Sequence, residues 1–300
     1  MRIVSVGEVL WDVIGDTEFL GGAPLNFAAN LQRLGNSVVL LTAVGDDSRG
    51  RRVLAQMREL GLTTEYIQIV TEQPTGTAEV STDASGSASF LIRRPAAFDL
   101  FVADDSTLAR LRLFRPDWIY FGTLAQVDAH GEEALLRIID CAVESNRFYD
   151  MNLRAGHWNI DLIERLSRLA TVVKLNDAEA ELLFQLTFET RQFSLEEFCH
   201  YWSSKYGVNT ICVTLGSKGC AVFSGEVLNR FPGYPVTVAD TVGAGDAFAA
   251  AFLHGLHLGW PIGRIAQFAN ALGAHVASRS GATPPWTLAE LELTKSSTEV

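Results

Sequence analysis

Cysteine is scarce: the 300-residue chain has four, Cys141, Cys199, Cys212 and Cys220, and none forms a CxxC pair. So few thiols in so long a chain exclude a disulfide framework, and reduced thiols are expected. Positive charge is also short, with 24 Lys and Arg against 35 Asp and Glu, a formal net charge of −11 and a pI of about 5.0. Duplex-DNA binding draws its non-specific affinity from cations that displace counterions, so no nucleic-acid partner is expected. Long hydrophobic runs are lacking. The most apolar stretch, 247–258, carries two histidines, follows Asp246 and is too short to span a bilayer. In MRIVSVGEVLWDVIGD, Glu8 and Asp12 interrupt the apolar start before a signal-peptide core can form. There is no internal repeat, low-complexity tract or Pro-rich linker. A cytoplasmic protein without a membrane partner is therefore expected. What is present excludes intrinsic disorder: 48% hydrophobic residues, 20% charged residues and a mean hydropathy of +0.14.

Short β-branched runs alternate with helical spacing. RIVSVG, VVLLTAVG, WIYFG, RFYDMN, TVVKLN and TICVTLG read as buried strands bounded by Gly, Asn or Asp. Between them, 24–34, 50–60, 130–143, 177–186, 195–206, 247–258 and 262–278 carry helical periodicity. This alternation predicts an α/β fold, a mostly parallel sheet with helices on both faces. Residues 64–100 break the rhythm with strand-like EYIQIV, TAEVST and SASFLIRR, with PTG and DASG as turn signals, and 10–19 is also strand-like. Both are expected in a small β element: 10–20 and 64–100 as a discontinuous lid, with 1–9, 21–63 and 101–300 as the core.

Five segments have the composition of a ligand site. In ADTVGAGDAFAAAF, Gly243 and Gly245 open onto a helix, so backbone N–H groups and the positive helix end can face an anion. Asp246 beside such a site can accept a hydroxyl proton, or it can simply cap the helix. GGAPLNFA sets paired glycines before Asn26, with Asp12 upstream, and serves a ligand or a helix-entry turn. In YDMNLRAGHW, Asp150, Asn152 and Arg154 alternate at a strand end, where open α/β sheets place ligands. In KLNDAEAELL, Lys174, Asn176 and Glu179 can approach a phosphate and its magnesium ion through water, and Asn176 with Glu179 also has capping-box spacing. TLGSKG follows a strand and can close over phosphates or serve as a five-residue hairpin loop. GxxxxGK[ST] and GxGxxG are absent, which excludes a Walker loop and leaves a Rossmann site unsupported. His254 and His257 come without HExxH, so no zinc site is expected.

Together the segments resemble the ribokinase-like, or PfkB, family of sugar kinases. GGAPLNFAANLQRLG looks like its N-terminal glycine motif, DTVGAGDAF like its C-terminal signature, KLNDAEAELL like its N-x-x-E element and TLGSKG like its nucleotide loop. They stand in the family's order over nearly the whole chain, and GEVLWD, GGAPLN and DMNLR look most like the bacterial fructokinase branch. The resemblance implies a ribokinase-like fold, ATP as co-substrate, Mg2+ and a monovalent cation such as K+. It makes Asp246 the general base, with the N–H groups of Ala244 and Gly245, shaped by Gly243, stabilising the phosphoryl group in flight. Asp12, Gly22, Asn26, Asn152 and Arg154 would line the sugar pocket, with Arg93 reaching in from the lid. Lys174, Thr214, Gly216, Gly219, Asn270 and Gly273 would border the nucleotide, and Asn176 and Glu179 would organise Mg2+. Asp240 and Val242 with Ser278 and Gly281 fall at the places of the family's monovalent-cation site. The implied reaction is ATP plus fructose giving ADP plus fructose 6-phosphate. Rivals are 2-keto-3-deoxygluconate kinase, another sugar kinase of the family, or a non-catalytic sugar- or nucleotide-binding regulator. Apolar lid strands would favour a lid-to-lid homodimer.

Overall fold

The computed structural model describes residues 1–82 and 88–291. They fall into two compact units, Met1–Ser145 and Asn146–Val300. In the first, β1 (Arg2–Val6) lies between β8 (Trp118–Gly122) and β4 (Ser37–Gly45), and β5 (Ile67–Val70) pairs with β4, all parallel. The apolar runs of β1, β4 and β8 are buried on both faces, so consecutive residues rather than alternate ones are apolar. Around them stand α1 (Ala23–Arg33), α2 (Ser48–Glu59), α3 (Asp105–Phe114) and α4 (Ala129–Cys141). Phe27 of α1 stacks on Tyr120 of β8 with ring centroids 3.7 Å apart.

A second sheet in this unit joins β2 (Leu10–Ile14), β3 (Thr17–Gly21), β6 (Gly76–Thr82) and β7 (Ala88–Arg93) in the order β3-β2-β6-β7. Leu10, Ala78 and Ile92 of one face pack on Ala96, Phe98 and Leu124. The strand-rich stretch from 64 to 100 therefore divides: its first strand, β5, joins β4 in the larger sheet, and only β6 and β7 enter the small one. Residues 83–87, the DASG turn expected from the sequence, lie outside the described residues.

In the second unit, β9 (Asn146–Asp150), β10 (Val172–Asn176) and β11 (Thr210–Thr214) are parallel, and β12 (Cys220–Ser224) and β13 (Val227–Phe231) continue the sheet antiparallel. With them stand α5 (Ile160–Leu169), α6 (Asp177–Phe188), α7 (Leu195–Tyr206), α8 (Ala244–His257) and α9 (Ile262–Ala277). Trp202 of α7 is fully buried and donates its indole N–H to Ser167 Oγ of α5 at 3.1 Å. Helices α3 and α5 were not among the expected segments. Each starts at a carboxylate or amide cap, Asp104 accepting from the Thr107 N–H and Asn159 from the Leu162 N–H. All four cysteines carry free thiols, as expected. Among the described residues no helix is long and apolar enough to cross a membrane.

The turn from β4 into α2 depends on Asp47. One of its oxygens caps the helix at the Gly50 N–H, 2.7 Å, and accepts the Thr75 hydroxyl, while the other accepts the Thr75 N–H. Burial works against its charge, but the N–H groups of Thr75 and Gly50 and the Thr75 hydroxyl outweigh it, so the pKa is lowered. A depressed carboxyl contributes its stability above the unfolded pKa and loses it as pH falls through the folded one. Asp47→Ala is expected to cost about 1–2 kcal/mol at neutral pH, measured by urea unfolding. The difference from wild type should shrink as pH falls below about 4.

Candidate active site

In the first unit the GGAPLN segment forms a tight polar corner. Gly22 is the N-cap of α1 with φ 114, a backbone region that side chains rarely adopt. The first helical N–H, from Ala23, donates to buried Glu8 Oε1 at 3.3 Å, so the helix start is held by a carboxylate from the end of β1 rather than by its own cap residue. Asn26 is buried one turn in, and its N–H closes on the Gly22 carbonyl at 3.0 Å. A Cβ at Gly21 would run into Asp12 Oδ2. Asp12, Gly22 and Asn26 are thus gathered within residues 8–26.

Arg93 is not gathered with Asp12. Asp12 pairs with Ala78 and Ala78 with Ile92, whereas Trp11 pairs with Thr77 and Thr77 with Arg93. Side chains alternate across a sheet, so Arg93 projects from the face opposite Asp12. There it is exposed and ion-paired with Glu79 at 2.8 Å. One position of register separates this outcome from the expected one.

In the second unit the ends of β9, β10 and α6 make a charged cluster. Lys174 is buried, and its Nζ donates to both oxygens of Asp150 at 2.9 and 3.0 Å. Burial pulls the ammonium toward its neutral form, but the Asp150 carboxylate, with the charges of Glu179 and Asp246, overrides it and raises the pKa. Lys174 is thus engaged in an internal ion pair and is not among the residues lining the cavity described below. Asn176 and Glu179 form a complete capping box, each side chain accepting the other's backbone N–H at 2.8 Å.

Helix α8 starts differently from α5, α6 and α7. Helices α5, α6 and α7 open on side-chain caps from Asn159, Asn176 and Ser194, but α8 opens on Gly243 with none. Gly243 has φ 77, and a Cβ there would collide with the Ala282 backbone, so both conformation and space demand glycine. Ala244, Gly245 and Asp246 are the first helical residues, whose N–H groups have no acceptor within the helix. The Ala244 N–H leans on the Thr241 carbonyl at 3.3 Å. A Cβ at Gly245 would lie 3.7 Å from Lys174 Nζ, which sets that buried cation against the same turn.

Next to this turn is a cavity of about 500 Å³ within the second unit. Of the expected nucleotide residues, Thr214, Gly216, Gly219, Asn270 and Gly273 line it, together with Ala244 and Gly245. Asn270 donates its amide to the Pro232 carbonyl at 3.0 Å, fixing the segment that forms the opposite wall. At the far side of α9, Asp240 accepts the N–H groups of Val242, at 3.0 Å, and Gly281, at 3.1 Å. Three of the four residues expected at a monovalent-cation site, Asp240, Val242 and Gly281, are thereby joined by a carboxylate, and Ser278 is the C-cap of α9. Among the described residues no three His, Cys, Asp or Glu side chains converge as a metal cage.

A model of the pfkB family of carbohydrate kinases matches residues 2–288. The chain belongs to that family. This pfkB-family kinase is 28% identical over 309 residues to fructokinase-1 of Zea mays, covering 94% of this chain and 93% of the relative. It is also 28% identical over 271 residues to aminoimidazole riboside kinase of Salmonella typhimurium, covering 87% and 83%. Its fold matches the crystal structure of fructokinase with bound ATP from Xylella fastidiosa at a TM-score of 0.87, with 23% identity over 100% of this chain and 99% of the other. The ribokinase-like fold expected from the motifs is the observed one.

Sequence reasoning missed part of the kinase's cavity wall: Tyr234, Pro235, Val236 and Val238, and Phe248 of α8. The signal for the first group was faint, a proline- and glycine-punctuated run without period, and Phe248 looked like ordinary helix core. Gly243→Ala tests the turn itself. With left-handed backbone and no space for a Cβ, it should destabilise the fold by about 1–3 kcal/mol and remove most turnover. Gly245→Ala, which meets no atom closer than 3.7 Å, should be milder in thermal melting and steady-state rate.

Proposed function

We propose that the protein transfers the γ-phosphoryl group of ATP to a hydroxymethyl group of a sugar, with D-fructose as the acceptor and fructose 6-phosphate as the product. The observation that carries this reading is the α8 start. An uncapped helix N-terminus opens on a glycine whose place no other residue can take, beside a nucleotide-sized cavity and with a carboxylate at its third helical position. Phosphoryl transfer needs alignment and stabilisation of charge on the phosphoryl oxygens more than it needs covalent chemistry. The Gly245 N–H and the helix end supply the second of these needs, and Ala244 joins them on release from Thr241. Asp246 takes the proton of the attacking hydroxyl.

Adenine and ribose occupy the cavity bordered by Thr214, Gly216, Gly219, Asn270 and Gly273. Asp12, Gly22, Asn26, Asn152 and Arg154 are the residues assigned to the sugar hydroxyls. Arg93 is left out of this assignment because its charge is engaged by Glu79 on the other face of the small sheet. Magnesium arrives on the nucleotide. The oxygens of Glu179 already accept backbone N–H groups, so Glu179 fits the metal through bound water and not as one ligand of a protein cage. A potassium ion fits the loop pair held by Asp240, where backbone carbonyls and one carboxylate supply the oxygen donors a hard cation takes. The protein works in the cytoplasm.

The kinship with riboside kinases keeps other acceptors in play, and the test is a coupled ADP-release assay over fructose, 2-keto-3-deoxygluconate and ribosides. Fructose should give the highest kcat/KM, and a larger value for the keto-deoxy acid would replace it as acceptor. Saturable sugar binding without any ADP release would make the protein a regulator. In the same assay Asp246→Asn should lower kcat by about 10²–10⁴ with ATP and sugar still bound, and near-wild-type turnover would remove Asp246 as the base. Ile14, Phe19 and Leu91 are exposed on the small sheet, and a second copy covers such strands. Sedimentation at micromolar concentration should show a dimer, and a monomer there would end that part of the reading.

A further inference from the structure

One backbone conformation near the sugar-binding residues calls for a cause. Asn152 has φ 41, in the left-handed region that favours glycine. A residue of this kind stays there only where its surroundings hold it. It is held on both sides. Upstream, the Asp150 carboxylate is fixed by Lys174 Nζ, and the Met151 N–H donates to the Lys174 carbonyl at 2.9 Å. Downstream, the Leu153 N–H donates to Glu179 Oε1 at 2.6 Å. The other oxygen of the same carboxylate accepts the Asn176 N–H at 2.8 Å, and Asn176 caps α6 in return. Glu179 is buried and lies close to the Lys174 charge.

We infer that Glu179 is a positioning residue for the acceptor: its carboxylate bridges the Leu153 and Asn176 N–H groups, and so holds Asn152 and Arg154 on a strained loop at the start of α6. This deepens the proposed function, because it rests on Asn152 and Arg154 binding the sugar. It gives Glu179 a duty that needs no metal. A carboxylate is the only side-chain group of this length with two acceptor atoms and no donor. Glutamine in its place must turn an N–H toward one of the two backbone N–H groups, which breaks one bond and leaves a buried donor unsatisfied. The strain stored at Asn152 then pulls the loop away, since among the described residues Glu179 is the acceptor that holds the Leu153 N–H.

The test compares the full-length wild type with Glu179→Gln and Glu179→Asp. Aspartate keeps the charge but is too short to span both N–H groups, and it stands in if the glutamine variant does not fold. In the ligand-free, magnesium-free proteins, amide hydrogen exchange at Leu153 should speed up by about tenfold or more in the variants, the equivalent of one lost hydrogen bond. Turnover at saturating magnesium should show fructose KM raised about tenfold. Unchanged exchange at Leu153 would overturn the inference. So would a shifted magnesium requirement with an unchanged fructose KM, which would make Glu179 solely a metal organiser. If exchange quickens while the wild type turns over no sugar, the hold on the loop stands and the sugar-kinase reading fails.

Discussion

The second unit's polar end is organised around one buried cation. Lys174 has no water to stabilise its charge, and a buried ammonium without partners would lose its proton instead. Its solution is Asp150, which takes two of its hydrogens, with Glu179 and Asp246 adding their charges nearby. Removing one partner from such a pair typically costs about 3–5 kcal/mol, because the other charge is left buried and alone. Asp150 ends β9, Lys174 lies on β10 and pairs with Asp150 in register, and Gly245 meets the ammonium from α8. Three elements far apart in sequence thus share a single electrostatic reference point.

Backbone does much of the remaining work. The turn into α8 is shaped by Gly243 against the Ala282 backbone, and the cavity wall is rich in small residues and main chain. Such a site needs few lysines or arginines, so a net charge of −11 is no obstacle to handling a phosphate. The global charge bears on polyanions such as DNA, whose binding depends on many cations. It says little about one phosphoryl group met by a helix end.

Much of this was legible in the sequence because it depends on local chemistry. The strands of the parallel sheets announced themselves as apolar runs, and the capping box of α6 could be read from Asn176 and Glu179 three residues apart. Thr214, Gly216 and Gly219 of TLGSKG and Asn270 and Gly273 of α9 line one cavity. What escaped depended on partners that spacing does not name. Residues 67–70 look like the other short strands around them, but β4 has a free edge and takes them into the larger sheet. The wall from Tyr234 to Val238 has no period because it is irregular chain, held in part by the amide of Asn270.

The sequence by itself determined the fold class, the family and the order of the motifs, since periodicity, caps and glycine turns are properties of neighbouring residues. Only the tertiary structure decided which charges meet. It turned Arg93 toward Glu79 by one step of register, buried Lys174 against Asp150 and gave Glu179 the Leu153 N–H as a second partner. Ion pairs and hydrogen bonds act over a few ångströms in space, and residues 14 to 26 positions apart come within that range only when strands and helix starts have been set side by side.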